Sequence, residues 1–108
     1  MKRWVPDSGD VIWIDLNPTV GHKQAGRRSA LVLTPSAYNG RTGLLIACAL
    51  TKQRKGYPFE VVMPDGGVVL ADQVKSIDWR ARNARLKQTA PPDVLKEVKQ
   101  LLGIVLQF

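Results

Sequence analysis

Residues 21–33, GHKQAGRRSALVL, set one imidazole and three cations, His22, Lys23, Arg27 and Arg28, in a glycine-punctuated loop that runs straight into an apolar stretch. Arg28 stands just before SALVL, where a rigid strand can aim a planar guanidinium at phosphate oxygens. The alternative is an arginine that simply anchors the loop. His22 is the one histidine of the chain, and so the one side chain whose ordinary pKa lies near neutrality. Its type suits proton transfer, although its place is in a loop that Gly21 and Gly26 leave free to bend. Crowding cations costs energy, so the stretch implies a partner dense in negative charge. No carboxylate cluster and no His/Cys set has metal-ligand spacing, so neither a metal site nor a cofactor is expected. Cys48, the single cysteine, lies within LLIACAL and reads as a small buried hydrophobe rather than a reactive thiol.

The rest of the charge repeats the pattern. Sixteen Lys and Arg face nine Asp and Glu, a formal net charge of +7, which points to a polyanion, an acidic protein or an anionic surface. Lys23, Arg27 and Arg28 occupy one basic loop, and Lys52, Arg54 and Lys55 a second, TKQRKGYP (51–58). Lys75, Arg80, Arg82, Arg85 and Lys87 gather towards the end of the last predicted strand and beyond it, with only Asp78 among them. Three such clusters at sheet edges can form one surface; solvated loops that merely keep the chain soluble are the plainer reading. Trp79 and Tyr57 stand beside the cations, and aromatic rings next to Arg and Lys suit stacking with unpaired bases. The pattern favours single-stranded nucleic acid over duplex, since the one predicted helix uses its apolar face for packing and cannot enter a major groove.

Those residues need a frame. A length of 108 residues with 44% hydrophobic content fits one domain spanning 1–108. VIWIDL (11–16), ALVL (30–33), LLIACAL (44–50), FEVVM (59–63) and VVLADQVKSI (68–77) read as strands, and several lack clean alternation, as strands covered on both faces do. PDGG (64–67) is a tight turn that makes a hairpin of the last two. From Pro91 the apolar period lengthens: Val94, Leu95, Val98, Leu101, Leu102 and Val105 fall three or four apart, the stripe of a helix packed on the sheet. There is no room for parallel crossovers. The expected fold is mainly β, a small, strongly curved or half-open barrel of largely antiparallel strands with a C-terminal helix. The opening MKRWVPDSGD lacks a signal-peptide core, and no apolar stretch approaches the roughly 20 residues that cross a bilayer; a soluble cytoplasmic protein with no membrane partner is expected.

GDVIWIDLNPTVGHKQAGRRSALVLTP resembles the opening of the MazF/PemK (Kid) toxins, and YPFEVVM and LADQVKSIDWRAR resemble their middle strand and their last strand with its loop. Several motifs recur in order along nearly the whole chain. The resemblance implies a CcdB/MazF-type fold, an SH3-like barrel with a C-terminal helix. It implies a homodimeric, sequence-specific endoribonuclease that cleaves single-stranded messenger RNA. A MazE-like antitoxin would neutralise it, in a complex that can reach a toxin–antitoxin heterohexamer, and an acidic tail on such an antitoxin could mimic phosphate in the cationic groove. RNA cleavage without a metal uses the 2′-hydroxyl as nucleophile and leaves a 2′,3′-cyclic phosphate and a 5′-hydroxyl, so it needs a proton acceptor, support for the phosphorane and a proton donor.

By the resemblance Arg28 matches the family's central arginine. Its pKa above about 12 suits charge stabilisation better than the base role. Thr51 matches the active-site threonine or serine, with an ordinary strand-end threonine as the alternative. Asp72 matches the aspartate taken as general base in the Kid branch. That branch has arginine two positions earlier, where this chain has Leu70, so a structural or RNA-contacting Asp72 stays open. Lys23 replaces the family's usual glutamate and strengthens phosphate contact. The catalytic candidates are Arg28, Thr51, His22 and Asp72. The RNA-binding candidates are Lys23, Gln24, Arg27, Lys52, Gln53, Arg54, Lys55, Lys75, Trp79, Arg80 and Arg82. Trp13 is either core or part of a dimer and antitoxin groove. Two other readings remain: a non-catalytic gyrase poison of the same fold, whose terminal Trp-Gly-Ile is replaced here by Leu106-Gln107-Phe108, and an RNA-binding module without activity.

Overall fold

Along the first strand, β1 (Asp10–Asp15), Val11 and Ile12 point to opposite faces and both are fully buried, so the sheet has a core on each side. The computed structural model describes residues 3–15 and 26–108. After β1 come β2 (Arg27–Val32), α1 (Ser36–Thr42), β3 (Leu44–Thr51), β4 (Glu60–Val62), β5 (Val68–Asp78), β6 (Arg85–Thr89) and α2 (Pro92–Leu106). The six strands form one sheet in the order β4-β5-β3-β2-β1-β6, and every pairing is antiparallel.

One core lies between the sheet and α2, where Val11, Leu31, Cys48 and Val69 meet Val94, Val98 and Leu102. Pro92 begins α2 and Asp93 complements its dipole. The other core holds Ile12, Val32, Leu45, Ile77 and Trp79, with Val5 packed against them. Asn39, on α1, is the buried polar residue of that side. Its Nδ2 donates to the carbonyls of Pro6 and Thr34, both at 2.8 Å, and its Oδ1 accepts from the Thr34 hydroxyl at 2.6 Å. Its main-chain carbonyl accepts from the Trp79 indole at 2.9 Å.

Two irregularities curve the sheet. Pairing between β3 and β5 jumps from Cys48↔Val74 to Leu50↔Val69, so β5 bulges over 70–73 and bends. Pairing between β1 and β6 slips from Val11↔Gln88 to Ile12↔Leu86, leaving Lys87 as the extra residue. The bends bring opposite sheet edges together: Gln88 of β6 donates to Asp65 in the β4–β5 turn at 2.9 Å. The result is the antiparallel half-barrel with a C-terminal helix. Gly66 makes the turn, with φ +90°, a conformation that disfavours a side chain.

Three expectations are corrected. The stretch ahead of ALVL is already strand, so Arg27 and Arg28 belong to β2 rather than to the loop before it. Residues 34–43 contain a helix, and the basic run after β5 contains β6. The apolar stripe of α2 is buried only as far as Leu102: Val105 is exposed together with Ile104 and Leu106.

Candidate functional site

The register of β2 on β3 runs Ala30↔Ala49, Leu31↔Cys48, Val32↔Ala47 and stops there. Carried two residues further, the same antiparallel count sets Arg28 opposite Thr51, on one face, at the ends of the two strands. Both line an open cleft of about 490 Å³ shared with Trp13, Arg27, Lys52 and Lys87, with the Asp65–Gly67 turn at its rim. Arg28 is exposed, and its side chain makes no hydrogen bond or ion pair with another described residue. Thr51 is half-buried and its hydroxyl accepts the Gln53 amide at 3.2 Å, which leaves the hydroxyl proton free to donate.

Trp13 forms the apolar wall. It is half-buried, with the Arg27 guanidinium 4.9 Å and the Lys87 ammonium 4.4 Å from its ring centroid. The electron-rich ring face offsets part of the repulsion between the two cations. One carboxylate, Asp65, stands at the rim. Hydrogen bonds from Gln88 and the Gly67 amide, and then the Lys87 charge, hold it below the usual carboxylate range.

Two further hollows adjoin the cleft. One of about 370 Å³ is reached across Thr51 and lined by Gln53, Lys55, Tyr57, Asp72 and Gln73. Glu60 braces that loop by accepting the Lys55 and Gly56 amides at 3.1 and 2.9 Å. The other, about 270 Å³, lies against Arg28 with Gln73 and Lys75. The fold thus assembles Arg28, Thr51, Arg27, Lys52 and Trp13, with Lys75 next to Arg28. Gln53, Lys55 and Asp72 stand one hollow away. Arg54 is exposed in the same loop and lines none of the three.

Trp79 is corrected from an RNA-stacking surface ring to a core residue: it is 8% exposed and its indole N–H is taken by Asn39. Arg80 and Arg82 lie away from the cleft. Arg80 sits 4.5 Å over the Trp79 ring and donates to the Gly40 carbonyl at 3.2 Å, and Arg82 donates to the Asp15 carbonyl at 3.0 Å. His22, Lys23 and Gln24 lie outside the described residues. Sequence reasoning did not place Lys87 in the site, because only the bulge in β6 turns it onto Trp13. The PDGG motif was the available signal for the rim, read only as a turn.

Burial, with the Asp72 carboxylate as a smaller contribution, pushes the Cys48 thiol up to about 11, which leaves it protonated and inert. Among the described residues, no three His, Cys, Asp or Glu converge as metal ligands, and no helix is long and apolar enough to cross a membrane. The cleft offers guanidinium and ammonium groups, the hydroxyl-bearing Ser29 and Thr51 and an aromatic wall, a set that fits a phosphate with an attached base.

The family model for the PemK-like, MazF-like toxin of type II toxin–antitoxin systems matches residues 7–106. The chain is 50% identical to the endoribonuclease toxin MazF of Escherichia coli (strain K12) over 98% of each chain. It is 32% identical to the endoribonuclease PemK of Escherichia coli, over 93% of this chain and 81% of that one. Among solved structures, a MazE–MazF crystal form from Deinococcus radiodurans superposes with a TM-score of 0.92 at 52% identity, covering 98% of this chain and 99% of that one. MazF alone from the same organism gives 0.87 at 52% identity, covering 98% and 100%.

Proposed function

The chain belongs to the PemK-like, MazF-like toxins of type II toxin–antitoxin systems, and from that premise we propose that it is an endoribonuclease, neutralised by a MazE-like antitoxin, whose cutting site is the Arg28–Thr51 cleft. The observation that carries this reading is the shared cleft, which Arg28 and Thr51 line together with Arg27, Lys52 and Lys87.

The reaction is transesterification within the RNA. The 2′-oxygen forms a bond to the neighbouring phosphorus, the bond from phosphorus to the 5′-oxygen breaks, and the products are a 2′,3′-cyclic phosphate and a 5′-hydroxyl. One proton leaves the 2′-hydroxyl and one reaches the departing oxygen. Arg28 stabilises the charge that builds on the equatorial oxygens, since a guanidinium binds two of them at once. Thr51 donates a hydrogen bond to the same group. Asp72 opens into the neighbouring hollow and suits contact with an adjacent nucleotide, whereas imidazole chemistry makes His22 the candidate by residue type for proton transfer at the 2′-oxygen. Lys52, Arg27 and Lys75 hold flanking phosphates. A divalent-cation route calls for carboxylate oxygens, and the cleft presents cations around a single carboxylate, Asp65, which is already hydrogen-bonded.

The same reading makes the toxin a cytoplasmic homodimer. The end of the chain at α2, with Leu106 57% and Phe108 87% exposed, is apolar surface that a second copy can cover. An acidic antitoxin segment that occupies the cleft blocks it by taking the phosphate's place.

The deciding experiment incubates the protein with single-stranded RNA in excess EDTA, beside the same sequence carrying 2′-deoxy sugars. Cleavage of the RNA with cyclic-phosphate ends, and none of the deoxy strand, is expected. A requirement for magnesium, or scission of the deoxy strand, overturns the mechanism.

A further inference from the structure

A hollow of about 530 Å³ at the start of β6 is lined by Arg3, Trp4, Trp79, Arg80 and Arg85, and no Asp or Glu is among its lining residues. We propose that it is a second RNA-contacting surface, which takes the unpaired nucleotides flanking the scissile bond; the proposal rests on the Arg28 cleft being the cutting site.

The hollow is prearranged. Arg80 is stacked 4.5 Å over the Trp79 ring and tied to the Gly40 carbonyl. Its guanidinium passes so close to Gly43 that a Cβ there would lie 2.9 Å from Nη1. Trp79 is buried, and Trp4 meets it edge-on, with ring centroids 6.3 Å apart and planes at 73°. Trp4 as a whole is 38% exposed and lines the hollow beside Arg3, Arg80 and Arg85, so an aromatic residue braced by a buried neighbour stands among guanidinium groups. Three arginines line the hollow, and the nearest carboxylates stand behind it and are already engaged, Asp10 with the Trp4 side chain and Asp15 with the Asn83 amide at 2.8 Å.

The second observation is continuity. Arg85 lies directly across from Trp13 in the ladder, and Lys87, two residues along the same edge strand, stands over the Trp13 ring inside the Arg28 cleft. One strand therefore carries cations from the hollow to the cleft, with only Leu86 between them. A nucleic-acid strand leaving the cleft along β6 finds phosphate contacts at Lys87 and Arg85 and then an indole on which to stack a base. An acidic peptide would use the arginines but not the ring, which favours RNA.

The test uses one single-stranded RNA with a single mapped cleavage site, made as a minimal oligonucleotide and as a form extended on both sides by about ten nucleotides, a length in the usual range for such surfaces. The variants are Arg85→Gln, Arg3→Gln and Trp4→Ala, each checked by its melting curve, with the two arginine variants guarding against a Trp4→Ala that fails to fold. Wild type should cleave the extended RNA with KM about tenfold lower than the minimal one and with a steeper salt dependence. The variants should remove that advantage and leave the minimal RNA cleaved as before. Equal KM for the two wild-type substrates overturns the proposal while cleavage itself stands. A rise in KM on both lengths places Arg85 in the cleft and also overturns it. Unchanged RNA cleavage with weakened inhibition by the antitoxin assigns the hollow to an acidic peptide instead. Absence of any cleavage by wild type removes the underlying reading first.

Discussion

Gln88 and Asp65 close the half-barrel: the amide of Gln88 on β6 reaches the carboxylate of Asp65 in the β4–β5 turn at 2.9 Å, across the gap between the two edges of the sheet. The other Asp65 oxygen accepts the Gly67 amide at 2.9 Å, so one side chain both shapes the turn and holds it at the rim of the Arg28 cleft.

This clasp is pH-dependent in a defined direction. The Gln88 hydrogen bond, and then the Gly67 amide, hold the Asp65 carboxyl below its usual value of 3.8. A depressed folded pKa means that the stabilisation is complete above the unfolded value and is lost as pH falls through the folded one. Gln88→Ala should lower Tm by roughly 2–4 °C at pH 6, as expected for an exposed hydrogen bond. The difference should shrink below about pH 4 as wild-type Asp65 protonates. Melting curves at pH 6 and pH 3 check it, and an equal difference at both denies the clasp.

Asn39 supports the second core and should be the costliest polar residue to remove. Alanine there leaves the Pro6 and Thr34 carbonyls without their donor and the Thr34 hydroxyl without its acceptor, all in or beside a buried site. Asn39→Ala is expected to cost about 2–4 kcal/mol, a fall in Tm of roughly 10–20 °C. Chemical denaturation measures this directly. A loss below about 1 kcal/mol would show that water replaces the amide.

Cys48 should be silent towards thiol reagents. Its pKa of about 11 leaves almost no thiolate at pH 8, and its side chain is fully buried. Labelling with a thiol reagent should be complete in denaturant and negligible in buffer. Because the folded pKa is raised from 9.0 to about 11, the thiol's contribution to stability is intact below pH 9 and is lost as pH rises from there towards 11. Cys48→Ala should flatten that part of the stability profile.

The sequence showed elements where apolar residues repeat and missed those that polar contacts hold. β1, β3, β5 and α2 follow runs of Val, Ile and Leu. The helix α1 contains Gly40, and its one buried side chain is the amide of Asn39, so no period announces it; its stability lies in bonds to Pro6, Thr34 and Trp79. The strand β6 is an edge, with Arg85, Leu86 and Lys87 all exposed, and resembles a basic loop until it pairs with β1. Trp79 stands beside Arg80 in sequence and looks like a stacking platform; the distant carbonyl of Asn39 makes it core. The residue types of the candidate site were legible, and Arg28 was singled out from its chemistry together with the family resemblance. Its partnership with Thr51 depends on a register between two strands that α1 connects, and residue spacing alone does not encode that register.

That register yields the sharpest functional prediction. The Arg28 side chain is exposed and makes no hydrogen bond or ion pair with another described residue, so its removal should leave folding intact and act on catalysis alone. Arg28→Ala should lower kcat by roughly 10²–10³, the loss usual for one preorganised transition-state contact, with Tm unchanged within a degree or two. Arg28→Lys keeps the charge but not the planar fork, and should recover only a small part. Thr51→Val removes the hydroxyl at constant shape. The Gln53 amide it leaves is exposed to water, so stability should hold while kcat falls by roughly tenfold, the cost of one hydrogen bond of about 1.4 kcal/mol. If both side chains act on one phosphate, the double variant should lose less than the product of the single losses. Single-turnover cleavage of a defined RNA by the four proteins measures the coupling. Fully multiplicative losses would place Thr51 and Arg28 on separate groups, and an active Arg28→Ala would move the chemistry out of the cleft.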